Sequence, residues 1–146
     1  MPLNYPFAGA GDVASYQMSA VPFVTSSNGA EATNTPVRVA FPNVTRFIVV
    51  HETAGQDLRI AFTRNGVKGT GASVSGSAEE QRADHSNYFV LKANETTPRM
   101  EVRCKEIFFQ RNGGSNAGFS IIAGITPIPE RNFPLLSGSE GYLGVG

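Results

Sequence analysis

The chain has 146 residues, with 12 basic and 12 acidic side chains, a formal net charge of zero, one cysteine and no tryptophan. That length suits one domain with a real hydrophobic core. Balanced, dispersed charge excludes the long-range field that draws a protein to nucleic acid or to an anionic membrane. The longest wholly apolar run in the middle of the chain, "FIVV" at 47–50, falls far short of the roughly 20 residues a spanning helix needs. The opening "MPLNYPFAGAGD" has neither a basic n-region nor a long apolar stretch, so no signal peptide is expected there.

In chain order the predicted elements are strands. Residues 1–14 are expected to form an extended N-terminal segment, followed by a strand over 15–24 ("SYQMSAVPFV"). "PVRVAF" (36–41) alternates Val37, Val39 and Phe41 against Arg38 and Ala40. Such period-two alternation marks a strand with one buried face. After a turn at "FPN" (41–43) comes "VTRFIVVH" (44–51), and then "DLRIAFT" (57–63), which sets Leu58, Ile60 and Phe62 against Arg59. "RNG" at 64–66 and again at 111–113 predicts turns or loop starts, because Asn-Gly tolerates positive φ. The glycine-rich "GVKGTG" (66–71) lacks the spacing of a phosphate-binding loop and is read as surface. One short helix is predicted over 77–84, where Ser77 and Glu80 have capping-box spacing. Strands then follow at 87–92, 98–104, 106–110 and 118–126, the last with Phe119, Ile121, Ala123 and Ile125 on one side. The remainder, 127–146, carries prolines at 127, 129 and 134 and four glycines from Gly138 onward. It is expected to be an extended arm, neither a helix nor a central strand.

Three groups of residues invite a chemical reading. "HETAGQDLR" (51–59) gathers His51, Glu52, Asp57 and Arg59, but a metal motif of the H-E-x-x-H type needs a second histidine where Gly55 stands. Asp84, His85 and Ser86 are sequence neighbours, whereas catalytic triads are assembled by the fold from distant segments. Both groups read as solvent-facing polarity at strand ends, so no catalytic, cofactor or metal site is expected. Cys104 cannot form an internal disulfide, and its alternation with Arg103 and Glu101 puts it beside Met100 and Val102 on an apolar face, as an inert thiol.

The apolar content exceeds what alternation explains. If Ile48 and Val50 point inward, Phe47 and Val49 point outward. Ile107, Phe108 and Phe109 raise the same question. A β-bulge, cover from loops of the same chain, or burial against other subunits would each account for it. The candidate subunit-contact residues are Phe47, Val49, Ile107 and Phe109.

About eight strands without long helices leave a two-sheet sandwich or a barrel. The expectation is an all-β, single jelly-roll sandwich of about eight antiparallel strands over 15–126, with at most one short helix. The segments "VPFVTSS" (21–27), "FPNVTRFIVVHE" (41–52), "LRIAFTRNGV" (58–67), "NYFVLKANE" (87–95), "MEVRCKEIFFQ" (100–110), "AGITPIP" (123–129) and "LSGSEG", ending at Gly141, resemble the penton proteins of large icosahedral double-stranded DNA viruses. The resemblance implies a homopentamer that plugs the capsid vertex of the virion, beside a double-jelly-roll major capsid protein and minor capsid proteins. It further implies synthesis in the host cytoplasm, no direct nucleic-acid contact and no enzymatic activity. The alternative is a carbohydrate-binding sandwich. Against it, the four tyrosines, Tyr5, Tyr16, Tyr88 and Tyr142, are scattered and tryptophan is missing. The sequons at Asn43–Thr45 and Asn94–Thr96 matter only on secretion.

Overall fold

The computed structural model describes residues 20–69, 87–136 and 145. The helix predicted over 77–84, the Asp84–His85–Ser86 cluster, the N-terminal segment 1–14 and most of the final glycine-rich stretch lie outside the described residues. Among the described residues seven strands are formed: β1 (Val21–Ser26), β2 (Val37–Ala40), β3 (Asn43–Glu52), β4 (Leu58–Ala61), β5 (Phe89–Leu91), β6 (Glu106–Arg111) and β7 (Phe119–Pro129). All pairings are antiparallel, in two sheets ordered β1-β7-β3 and β2-β6-β4-β5. The protein is therefore an all-β sandwich. No helix among the described residues is long and apolar enough to cross a membrane.

The segment predicted as a strand over 98–104 is not a regular one. It runs along the open edge of β3 and touches the ladder at two isolated bridges, Ile48 with Met100 and His51 with Thr96. Threonine side chains replace the missing rungs. Thr97 Oγ1 accepts the Val50 N–H at 2.9 Å, and Thr45 Oγ1 accepts the Cys104 N–H at 3.1 Å while donating to the Val102 carbonyl at 2.9 Å. The alternation itself survives: Cys104 is buried, Met100 and Val102 are half-buried, and Arg99, Glu101 and Arg103 are exposed.

The core lies between the sheets. Ile48, Val50, Leu58, Ile60, Ile107, Phe109, Phe119, Ile121 and Ala123 are all buried in one cluster. Phe109 and Phe119 stack across it with centroids 4.2 Å apart, and Phe23 meets Phe41 edge-on at 5.2 Å. Burial of this apolar surface is the main favourable term in folding.

Two local predictions need correcting. "RNG" at 64–66 opens a short helix, α1 (Arg64–Lys68), rather than a turn. Thr63 caps it by accepting the Gly66 N–H, and Gly69 ends it in the left-handed conformation at φ 84°. The prolines at 127 and 129 do not end β7, which continues to Pro129 before a single 3-10 turn at Glu130–Asn132. Among the described residues β1 pairs back to Val21 with Ile125, and beyond that point β7 is paired on the β3 side alone. A proline, having no N–H to donate, fits where one edge of the strand has no ladder to complete.

Candidate functional site

The outer face of the β1-β7-β3 sheet is the first candidate. Register aligns Val24, Ile122 and Val49 in one row across three strands, and Pro22, Gly124 and Phe47 in the next. Val24 is 69% exposed and Ile122 47%, while Phe47 and Val49 are half-buried. β3 does carry a bulge, with register shifts on either side of Thr45. Downstream of it the alternation is regular, so Ile48 and Val50 enter the core and Phe47 and Val49 face out. Phe47 lies over the bare backbone of Gly124, where an added Cβ would come within 2.4 Å of its ring. The Arg99 guanidinium covers the ring 4.2 Å from its centroid.

Ile107 and Phe109, expected beside Phe47 and Val49 at a subunit contact, are fully buried in the core of their own chain. Their side chains point between the sheets, so they are not available to a neighbour. The outward residue of that run is Phe108, and the same chain covers it. Val67 of α1, Ala61 and Tyr88 pack on it as a second small cluster. The expected apolar excess on β6 is thus absorbed within the chain, whereas the excess on β3 joins an exposed face.

The charged stretch 51–59 divides in two. His51 is exposed, its Nδ1 2.8 Å from Thr96 Oγ1. Asp57 accepts from Lys92 Nζ at 3.0 Å and from the Ala93 N–H at 3.2 Å. Arg59 points outward from β4, donating to Asn112 Oδ1 at 3.0 Å with its guanidinium over Tyr88. Glu52 differs: it was expected in solvent and is fully buried. Its Oε1 accepts the N–H groups of Ala54 (2.8 Å) and Gly118 (3.2 Å), and its Oε2 those of Gly55 (2.8 Å) and Asn94 (2.9 Å). Desolvation pushes the carboxyl upward, but the backbone N–H groups of Asn94, Ala54, Gly118 and Gln56 outweigh it and hold it below the ordinary value. The alternation gave a signal for this, since Glu52 shares parity with Ile48 and Val50.

Cys104 is buried beside Thr45 Oγ1 at 3.5 Å. Burial pushes its thiol up to about 11, so it carries no thiolate near neutrality. A groove of about 460 Å³ opens where Phe62, Val102, Phe133, Pro134 and Leu136 meet Glu101 and Arg103. Among the described residues no group of three or more His, Cys, Asp or Glu side chains is placed to hold a metal ion. No family model, no curated protein and no solved structure matches the chain.

Proposed function

We propose that this chain is a capsid vertex subunit: a single jelly roll that closes into a ring of five on the five-fold axes of an icosahedral virion. Strand order carries this reading. With the 95–104 segment beside β3 counted as the sixth of eight strands in chain order, the sheets run first-eighth-third-sixth and second-seventh-fourth-fifth. Two nested Greek keys rolled together produce that order in a jelly roll. The apolar rows on the outer face of β1, β7 and β3 support the second half of the reading, because contiguous exposed apolar surface marks a contact. They also supply the surface that Ile107 and Phe109 do not.

Five copies close only through a head-to-tail contact, in which two different patches of each subunit meet. Phe47, Val49, Val24 and Ile122 form one of them in this reading. The partners in the shell are the double-jelly-roll major capsid protein and the minor capsid proteins, met after synthesis in the host cytoplasm. Native mass spectrometry of the purified chain tests the ring. Any oligomer is expected to hold five copies and to be lost on Ile122→Asp, and a stable dimer or trimer would overturn the ring.

A carbohydrate-binding role is favoured by one observation, the groove that sets Phe62 and Phe133 beside Glu101 and Arg103. Aromatic faces flanked by polar groups suit a sugar ring. Specific binding on a glycan array, lost on Phe133→Ala, would select this reading over the first.

A further inference from the structure

Glu52 is a buried ionisable group that the subunit-contact reading does not use. It ends β3 where three connections meet: the turn from Thr53 to Asp57, the turn at Lys92–Glu95, and the loop that leads from β6 to Gly118. Each carboxylate oxygen accepts two backbone N–H groups, and the four donors come from all three connections. A carboxylate offers about four acceptor positions, so this one is filled. The backbone around it is shaped to fit. Gly55 and Asn94 both take left-handed φ, 72° and 60°, and the Glu52 N–H donates to the Glu95 carbonyl at 2.9 Å. At Gly118 an added Cβ would lie 2.5 Å from Thr53 Oγ1, so the third connection is packed hard against the first.

We infer that the Glu52 carboxylate is an acid-sensitive clasp: one side chain that fastens three loops at one end of the sandwich and releases them together on protonation. A protonated carboxyl turns one acceptor oxygen into a donor and weakens the other. Backbone N–H groups of more than one loop then lose their partner at the same moment.

Among the described residues, His51, Asp57, Arg111 and Glu31 lie at this end and are engaged elsewhere. His51 faces Thr96, Asp57 holds Lys92, Arg111 donates to the Gly114 carbonyl and to Asn116, and Glu31 accepts the Asn28 N–H. Glu95 and Lys92 are exposed. Because the folded value lies below the ordinary 4.5, the clasp's contribution is fully present above that pH. It is lost as pH falls through the folded value. The loops therefore stay fastened in weakly acidic surroundings and open only in stronger acid.

The test follows amide exchange in the full chain. In Glu52→Gln, one acceptor oxygen becomes an NH₂ donor facing N–H groups. The amides of Ala54, Gly55, Asn94 and Gly118 are expected to lose at least about tenfold protection together, while those of β4 and β6 keep theirs. In the unmodified chain the same four amide resonances should titrate with one common midpoint below 4.5, and this measurement decides the matter if the variant does not fold. Four amides that stay protected in the variant would overturn the clasp. So would separate midpoints, or loss of protection in β4 and β6 at the same pH.

Discussion

Neighbouring residues in the charged stretch have opposite fates, decided by which face of β3 they occupy. His51 is exposed and its replacement by alanine should change stability by no more than about 0.5 kcal/mol. Glu52→Ala strands the buried Gly118 N–H and three partly buried ones, and should cost at least about 2 kcal/mol. Thermal melts of the two variants at neutral pH check the contrast, and the gap should narrow as pH drops below the ordinary glutamate range. The polar reading holds for His51, exposed at the end of β3, and in direction for Arg59, which is turned out from β4 but half-buried against Asn112 and Tyr88. It failed for Glu52 because a carboxylate is expected inside only when its partners are known. Here the partners are backbone N–H groups of distant loops, which composition does not reveal. Cys104 was easier to read, since alternation alone placed it inward. It should resist thiol reagents at pH 8 in the folded protein and react fully once the chain is denatured.

At the scale of elements, alternation fixed most strand faces and left their edges open. Leu58 and Ile60 are buried and Arg59 is turned out, as the pattern of 57–63 implies. Ile60→Ala should cost roughly 2 to 5 kcal/mol through the cavity it leaves. Arg59→Ala should cost nearer about 1 kcal/mol, for the loss of a hydrogen bond and the stacking on Tyr88. Urea unfolding measures both, and a larger loss for Arg59 would put the strand's register in error. On β6 the polar flanks Glu106 and Gln110 share parity with Phe108, a cue that Ile107 and Phe109 turn inward. The apolar run "IFF" masks that cue. The helix α1 was hidden by its Asn-Gly pair, although Thr63 and Gly69 stand at its two ends as cap residues. The 98–104 segment alternates like a strand, but Pro98 has no N–H and β3 is bulged opposite its far end. Side chains of Thr45 and Thr97 therefore make bonds that a regular ladder would make through the backbone.

Over the whole molecule, the two-sheet sandwich was legible because each buried face repeats every second residue. The order of strands within the sheets was not, since pairing between β1 and β7 joins segments about a hundred residues apart. The proposed ring rests on that order and on the apolar row Val24–Ile122–Val49, of which Val24 and Ile122 are exposed and Val49 is half-buried. A contact that survives outside a shell needs to bury at least about 1,000 Å². A smaller one would hold only among the neighbours of a finished capsid. The Val24→Asp and Ile122→Asp substitutions should leave the monomer's stability within about 0.5 kcal/mol, because both side chains face outward. They should nevertheless prevent incorporation into particles. The measurement that tests the central claim most directly is averaged imaging of purified virions that carry the unmodified chain. The account predicts five copies around every five-fold axis, with the β1-β7-β3 face buried between neighbours. Absence of the chain from the particle, or density for it only on the flat facets, would contradict the account.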